Sequence, residues 1–322
     1  MTVATGPRAL ARALVGLALT GLLLLAACRS PGAQHPQVEP AKVSPSAVAG
    51  DPVVGAAGDI ACPENANRVT PRTCQQQATS DLLVEAEPTA VLTLGDEQYD
   101  EGRLDNFRDV YGPTWGRFLD ITHPAPGNHE YSSGKADGYY RYFGKAAGSP
   151  SHPYYSLDIG AWHIIALNSE CGFAGGCAKG SPQERWLVAD LAAHPNRCTL
   201  AFWHSPRFSS GGHGNHHEYG PFWDDLNQAG ADVILNAHDH DYERFARQTP
   251  SARPDTRRGI REFVVGTGGK NLRSFHDIRA NSQVRSETFG VLLLTLHDDS
   301  YDWRFAPIAG STFTDSGHER CH

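Results

Sequence analysis

Residues 90–96 read AVLTLGD, a short apolar run that ends in a glycine and an acidic side chain. Four further short apolar runs also end in a side chain of a type that binds metals, at Asp59, Asn128, His204 and His238. Short buried strands with polar side chains at their carboxyl ends converge on one edge of an α/β sheet, where such sheets place their sites. Asp, Asn and His together suit Fe, Mn or Zn. The pattern predicts a metalloenzyme with two metals.

The N-terminus has the layout of an export signal. Arg8 and Arg12 precede an apolar stretch, residues 13–27, that is too short to span a bilayer. The stretch ends in Leu-Ala-Ala-Cys, which resembles a bacterial lipobox and implies cleavage before Cys28 and a lipid on its thiol. An ordinary signal peptide with a chance cysteine is the alternative.

The rest of the chain is predicted to form a tether and one large domain. After the signal segment, residues 1–27, residues 28–51 are rich in Pro, Ser and Ala without apolar periodicity, which is typical of a flexible tether. This tether would hold the exported protein at the extracytoplasmic face of the cell membrane. Residues 52–322 suit one domain, because the candidate ligands are spread from Asp59 to His240.

The charge of the chain disfavours a nucleic-acid partner. The formal net charge is −8 over 322 residues, and loss of Arg8 and Arg12 with the signal would make it −10. We therefore expect no general nucleic-acid-binding surface. A local phosphate site is compatible with this charge.

Six cysteines remain when Cys28 is set aside, an even number in a chain predicted to reach an oxidising compartment. Three disulfides are expected, although six cysteines allow 15 connectivities. As a hypothesis based on spacing alone, sequence proximity favours Cys62 with Cys74 and Cys171 with Cys177, which leaves Cys198 for Cys321.

We predict that helices and strands alternate in the first half of the domain and that strands dominate its second half. Ser181 is a suitable cap for a helix that starts at Pro182. Helices are predicted at residues 73–86, 182–193 and 221–228, and strands at the five apolar runs and at residues 154–159, 162–167, 262–265, 291–296 and 301–305.

Five segments resemble, in order, the motifs of calcineurin-like metallophosphoesterases. In that superfamily the first motif usually reads Asp-x-His, but Ala61 stands at the histidine position here. Tyr99, three residues after Asp96, restores the ligand count, and this exchange is typical of purple acid phosphatases. The resemblance implies an α/β fold: a four-layer α-β-β-α metallophosphoesterase sandwich with two mixed β-sheets flanked by helices. The five segments are residues 58–59 (GD), 95–99 (GDEQY), 127–130 (GNHE), His204, and 238–240 (HDH).

The resemblance also implies two metal ions that share Asp96 as a bridge. A phenolate ligand favours Fe(III), whereas a site of Asn, two His and a carboxylate suits divalent Fe, Zn or Mn. Two such ions activate a water and offset the negative charge of a phosphate. By motif order, the first metal is assigned to Asp59, Asp96, Tyr99 and His240, and the second to Asp96, Asn128, His204 and His238.

Further histidines are candidates for contact with the substrate. His129 directly follows the ligand Asn128, so we expect it to donate to a phosphate oxygen or to the leaving alcohol. A second histidine is expected in the glycine-rich loop after His204. Spacing in the family favours His213, and the double histidine that begins at His216 is the second choice.

The function implied by the resemblance is an exported dimetal phosphatase that hydrolyses small phosphate monoesters by attack of metal-activated water. A phosphodiesterase or nucleotidase with the same metals is the nearest alternative, because leaving-group contacts lie in loops. A non-catalytic metal-binding surface lipoprotein predicts missing ligands, and none of the seven is missing. A structural Zn or Ca site does not suit the pattern of Asn128, Tyr99 and a bridging Asp96. The glycine-rich residues 266–269 are not followed by the Lys-Ser/Thr pair of a phosphate-binding P-loop, so we expect them only to rim the site.

Overall fold

A computed structural model of the chain describes residues 50–64, 69–195 and 198–322. The predicted signal segment, Cys28 and the tether up to residue 49 lie outside these ranges. Within the described ranges, no helix is both long enough and apolar enough to cross a bilayer.

The strands of the described ranges form two mixed sheets. They are β1 Val53–Ala57, β2 Ala90–Leu94, β3 Thr122–Ala125, β4 Tyr155–Ile159, β5 Trp162–Ala166, β6 Cys198–Phe202, β7 Val233–Asn236, β8 Tyr242–Phe245, β9 Arg261–Val265, β10 Ser282–Ser286, β11 Gly290–Leu296, β12 Ser300–Pro307 and β13 Ser316–Arg320. The six-stranded first sheet has the order β13-β12-β11-β1-β2-β3. The seven-stranded second sheet has the order β10-β8-β9-β7-β6-β5-β4. The five apolar runs and the other predicted strands are confirmed. No strand end differs from its predicted position by more than two residues.

Local sequence signals match the start of the fifth helix but not that of the first. In the helix predicted after Ser181, the Ser181 hydroxyl accepts from the Glu184 amide and Pro182 takes the first position. The first helix begins at Gln76 rather than at residue 73, because Cys74 has a φ of 60° that no helical residue adopts. The helices are α1 Gln76–Ala86, α2 Leu104–Asn106, α3 Asn128–Tyr131, α4 Asp137–Phe143, α5 Pro182–Ala193 and α6 Gly220–Ala229, with short 3₁₀ or π turns at Phe107–Tyr111, Trp115–Ile121, Gly144–Ala147 and His217–Tyr219.

Alternating side chains of the second sheet enter two different cores. Ile164 of β5 and Leu235 of β7 join the large core that also holds side chains of the first sheet. Their neighbours Ile165 and Ile234 point to the other face and pack with residues of α5 and α6. This period of two is the expected consequence of strand geometry. The predicted sandwich of two mixed sheets flanked by helices is confirmed.

Two disulfides join the cysteines that sequence proximity favours, Cys62 with Cys74 and Cys171 with Cys177, and the third joins the remaining pair, Cys198 and Cys321. The last spans 123 residues and ties the end of the chain to the start of β6. A crosslink over so long a loop stabilises the fold by restricting the unfolded chain. The spacing hypothesis is therefore confirmed for all six cysteines.

Candidate metal centre

Parallel strands bring the predicted ligands to one edge of each sheet. Strands β1, β2 and β3 run parallel in the first sheet, and β6 and β7 run parallel in the second. The loops that follow these strands therefore emerge at the carboxyl ends of both sheets. The two edges meet, because His204 Nε2 after β6 lies 3.3 Å from Asp96 Oδ2 after β2.

The Tyr99 hydroxyl lies at the centre of the first predicted ligand group. Its Oη is 2.6 Å from Asp59 Oδ1 and 2.9 Å from Asp96 Oδ2. His240 Nε2 is 3.1 Å from Tyr99 Oη and also 3.1 Å from Asp59 Oδ1. All four side chains are buried. The structure thus brings together the complete set that the resemblance assigned to the first metal.

The second group surrounds the other side of Asp96. His238 Nδ1 and His204 Nε2 face each other at 3.1 Å. Ligand atoms of Asp96, His204 and His238 all lie within 4.8 Å of one another. The amide oxygen of Asn128 is buried and meets no hydrogen-bond partner within the described part of the chain. A buried oxygen without a partner is costly, and a cation would satisfy it.

Hydrogen bonds behind the histidines turn their free nitrogens toward the centre. His204 Nδ1 donates to the Leu94 carbonyl at 2.8 Å, and His240 Nδ1 donates to the Asn271 carbonyl at 3.0 Å. Metal-ligating histidines are held in this way, because the far nitrogen fixes the tautomer and the ring orientation. His238 is placed differently, since its backbone amide donates to Asp59 Oδ2 at 2.8 Å.

The backbone is strained at three of the predicted ligands. Asp59, Asp96 and His238 have φ values of 57°, 51° and 70°. The left-handed region is unfavourable for residues with a side chain, and such strain concentrates at functional sites. Close approach also requires Gly127, because a Cβ there would lie 2.3 Å from Asp96 Oδ1.

The buried carboxylate of Glu130 holds two ligand loops together. Its Oε2 accepts from the Asp96 amide at 2.9 Å and from the Gly127 amide at 2.8 Å, and its Oε1 accepts from the Gln98 amide at 3.2 Å. Burial and the neighbouring Glu97 and Asp96 raise the pKa of Glu130 well above its usual value. Sequence reasoning gave Glu130 no role. The three-residue spacing from Gly127, typical of a side chain that reaches back at a helix start, was the available signal.

The ionisable groups of the centre shift one another's pKa values strongly. Burial alone would lower the pKa of His204, but Asp96 raises it to about 10. Burial would raise the pKa of Asp96, but His204 lowers it to about 2. Burial, Asp59 and Asp96 raise the pKa of Tyr99 well above its usual value. Positive charge placed among these groups would favour a deprotonated Tyr99 and a neutral His204, because a bound cation reverses such local shifts.

His129 lies at the open side of the centre. Its amide donates to Asp96 Oδ1 at 2.8 Å, and its ring Nδ1 donates to the Asp100 carbonyl at 2.6 Å. Its Nε2 lies 3.9 Å from Asp96 Oδ2, and the side chain is 30% exposed. The ring therefore presents Nε2 to the space above the Asp96 carboxylate.

The two candidates in the glycine-rich loop both lie beside His238 but differ in their partners. The ring centroids of His213 and His216 are 4.1 Å and 5.4 Å from that of His238. His213 Nε2 accepts from Arg273 at 2.6 Å. His216 Nδ1 lies 3.2 Å from a Glu218 oxygen, and its buried Nε2 meets no partner in the described ranges.

An acidic residue after β7 and another on β8 hold this loop in place, and sequence reasoning gave neither a role. Asp239 accepts from the Ser209 hydroxyl and from the His213 amide, the latter at 2.8 Å. Glu243 accepts from the Ser210 amide at 2.7 Å. Nothing in the linear pattern distinguishes these carboxylates from turn residues, since their partners lie about 30 residues away.

The glycine-rich residues 266–269 lie against the first ligand loop, as expected for a rim. The Gly268 amide donates to the Gly58 carbonyl at 2.9 Å. The following Lys270 places its Nζ 4.4 Å from the centroid of the Tyr99 ring and 3.0 Å from Asp100 Oδ1. Lys270 and Arg273 thus add positive charge at the opening, and sequence reasoning identified neither.

A family model described as "Calcineurin-like phosphoesterase" matches residues 52–242. Purple acid phosphatase 15 of Arabidopsis thaliana is 26% identical over 208 residues, which are 52% of this chain and 38% of that protein. The chain therefore spans less than two thirds of this relative.

Solved structures share the fold. The purple acid phosphatase PPD1 from yellow lupin (Lupinus luteus) seeds has a TM-score of 0.69 and 19% identity, over 87% of this chain and 55% of the lupin chain. GAP50, titled the anchor in the inner membrane complex of Plasmodium, has a TM-score of 0.59 and 10% identity, over 84% of this chain and 89% of that chain. These likenesses show a common architecture of the two sheets.

Proposed function

Because the chain belongs to the calcineurin-like phosphoesterase family, we propose that it is an exported, metal-dependent phosphatase of the purple acid type that hydrolyses phosphate monoesters. The main support is the position of Tyr99, whose hydroxyl lies 2.6 Å and 2.9 Å from the carboxylates of Asp59 and Asp96. A phenol among carboxylates and histidine is a donor set suited to Fe(III). The Arabidopsis and lupin relatives are both named purple acid phosphatases.

The residues of the centre fit two cations. Asp59, Asp96, Tyr99 and His240 would hold Fe(III), and the unpartnered Asn128 oxygen with Asp96, His204 and His238 would hold Fe(II), Zn(II) or Mn(II). When bound, two such ions polarise the phosphate and lower the pKa of a water that attacks phosphorus.

The side chains at the opening supply proton transfer and orientation. The Asp100 carbonyl holds Nδ1 of His129, so that a protonated Nε2 can donate to a phosphate oxygen or to the leaving alcohol. In this proposal His216 takes the second position before His213, because its Nε2 meets no partner among the described residues whereas Arg273 donates to Nε2 of His213. This reverses the order expected from spacing.

Hydrolysis of p-nitrophenyl phosphate and of bis(p-nitrophenyl) phosphate by the iron- and zinc-loaded protein tests the activity. We expect preferential turnover of the monoester, and an Asp96→Asn variant that is slower by at least about 10³-fold, as for loss of strong transition-state stabilisation. Preferential turnover of the diester would favour the phosphodiesterase alternative. No turnover of either substrate with two metals bound would contradict an enzymatic role.

Colour tests the proposed iron ligand. A phenolate bound to Fe(III) absorbs visible light by charge transfer, so the iron-loaded protein should be coloured and a Tyr99→Phe variant should not. Phe keeps the ring, whose contact with the Lys270 ammonium does not involve the hydroxyl. Equal spectra at equal iron content would refute the assignment of Tyr99.

The location at the membrane rests on the sequence of residues 1–51. We propose cleavage before Cys28, lipid attachment to its thiol and display of residues 52–322 outside the cytoplasm. Fractionation of cells that express the full chain tests this. The wild type should sediment with membranes and a Cys28→Ser variant should not; identical distributions would contradict the anchor.

A further inference from the structure

A group of histidines and carboxylates outside the candidate metal centre lies at the opposite end of β1 from Asp59. We call it the terminal histidine cluster; it consists of Asp51, His297, Asp302 and His318. Asp51 precedes β1, His297 follows β11, and Asp302 on β12 pairs directly with His318 on β13. The cluster therefore joins the start of the described body to its last strand.

The Asp302 carboxylate lies between two imidazoles. Its Oδ1 is 2.6 Å from His318 Nδ1, and its Oδ2 is 3.1 Å from His297 Nε2. The side chains of Asp302 and His318 are 50% and 55% exposed, so a solvated ion can reach them. Ligand atoms of the three residues lie within 4.8 Å of one another.

The three ligand atoms are close enough to bind one zinc ion. Bonds of about 2.0–2.2 Å in a tetrahedron place neighbouring ligand atoms about 3.3 Å apart, so small side-chain movements would complete the geometry. Two imidazoles and a carboxylate suit Zn²⁺ and Cu²⁺. Asp51 Oδ2 accepts from His297 Nδ1 at 2.6 Å, which orients Nε2 toward Asp302 as carboxylates orient metal-binding histidines.

A similar group at the second sheet lacks this arrangement. His163, Asp190 and His194 also offer close ligand atoms. However, the rings of His163 and His194 are stacked, with centroids 4.4 Å apart and planes 16° apart. Nitrogen lone pairs lie in the ring planes, so two nearly parallel stacked rings do not aim at one ion. We therefore do not expect the His163 group to bind zinc.

We propose that the terminal histidine cluster is a binding site for Zn²⁺ or a cation of similar chemistry, separate from the catalytic centre. His297 Nε2, His318 Nδ1 and the Asp302 carboxylate are the ligands, and Asp51 positions His297. The ion links the β11–β12 connection to edge strand β13. Because Asp51 accepts from His297, the ion also fixes Asp51, the last residue of the predicted tether. Binding to the folded chain alone would raise its stability.

Equilibrium dialysis against Zn²⁺ tests the site in protein whose catalytic centre is already loaded with iron and zinc. Elemental analysis should find one more zinc per chain in the wild type than in His318→Gln, with unchanged iron. Asp51→Asn should bind this zinc about 10–100-fold more weakly. Added Zn²⁺ should raise the Tm of the wild type and not that of His318→Gln.

His194→Gln is the matched control, because it removes a partly exposed histidine of the stacked group. It should keep the additional zinc. Equal zinc content in the wild type and His318→Gln would overturn the proposal. Loss of the additional zinc in His194→Gln but not in His318→Gln would also overturn it, and would move the site to the stacked group.

Discussion

Two groups of histidine and aspartate, one around the buried His163 and one around the buried His204, lie at opposite ends of the strands of the second sheet, and their hydrogen bonds differ. Near the start of β5, His163 places Nδ1 2.9 Å from Asp158 Oδ1 and Nε2 2.8 Å from Asp190 Oδ2. Both ring nitrogens have carboxylate partners. At the carboxyl edge, His204 Nε2 faces His238 Nδ1, so two ring nitrogens share one proton at most.

The difference distinguishes the buried metal centre of this chain from its His163 group, which contains the same residue types. In the His163 group, both ring nitrogens and both oxygens of Asp190 have hydrogen-bond partners within the protein. In the metal centre, the Asn128 oxygen has no partner within the described ranges, and three ligands have a left-handed backbone. A buried oxygen without a partner, next to ligand residues on strained backbone, indicates a ligand-binding role, because folding alone would not favour either feature.

Substitution of His129 should produce the largest effect on turnover. The ring meets the space above Asp96 without belonging to the metal ligands, so His129→Ala should lower kcat by about 10²–10⁴-fold. Bound metal should remain equal to that of the wild type. His152→Ala, a change of an exposed histidine outside the centre, is the control. Loss of metal together with activity would instead make His129 a ligand.

Gly127→Ala tests the close packing of the centre. The new Cβ would lie 2.3 Å from Asp96 Oδ1 and 2.8 Å from His204 Cδ2, so the bridging carboxylate must move. A displacement of about 1 Å at reacting groups costs about 10²-fold in rate. Gly220→Ala, where no atom lies within 4 Å of the new Cβ, should leave kcat unchanged. Equal rates for both variants would show that Asp96 tolerates displacement.

His163→Gln should reduce stability rather than turnover. Loss of hydrogen bonds to charged partners costs about 1.5–3 kcal/mol, measured by urea unfolding. His194→Gln, which removes a more exposed side chain, should cost less than about 1 kcal/mol. If His163→Gln abolished phosphatase activity while the protein stayed folded, the proposed contrast between the two groups would fail.

The contribution of the His163 group to folding stability should decrease as the pH rises above about 6.5. Burial would lower the pKa of His163, but Asp190 and Asp158 raise it above its usual value. Its stabilisation is thus complete below pH about 6.5 and declines as the pH rises through the raised value. Burial would raise the pKa of Asp190, but His163 lowers it, so that contribution declines only in acid. The stability difference from His163→Gln should therefore be largest between pH about 4 and 6.5.

The strand ends and cysteine pairs could be predicted because their signals are local. Apolar runs that end in Asp, Asn or His indicate strands, and cysteines 6 or 12 residues apart indicate short disulfide loops. The supporting contacts could not be predicted in this way. Asp239 and Glu130 act through backbone amides that lie 26 and 34 residues away in the chain. Such partners become neighbours only when the strands assemble.

The most direct test of the central claim is anomalous X-ray diffraction from crystals of the iron- and zinc-loaded protein, recorded at both absorption edges. We predict an iron peak among Asp59, Tyr99 and His240 and a second metal peak among Asn128, His204 and His238. Both peaks should contact Asp96, about 3.5–4 Å apart. A single peak, or two peaks that do not share Asp96, would contradict the dimetal centre.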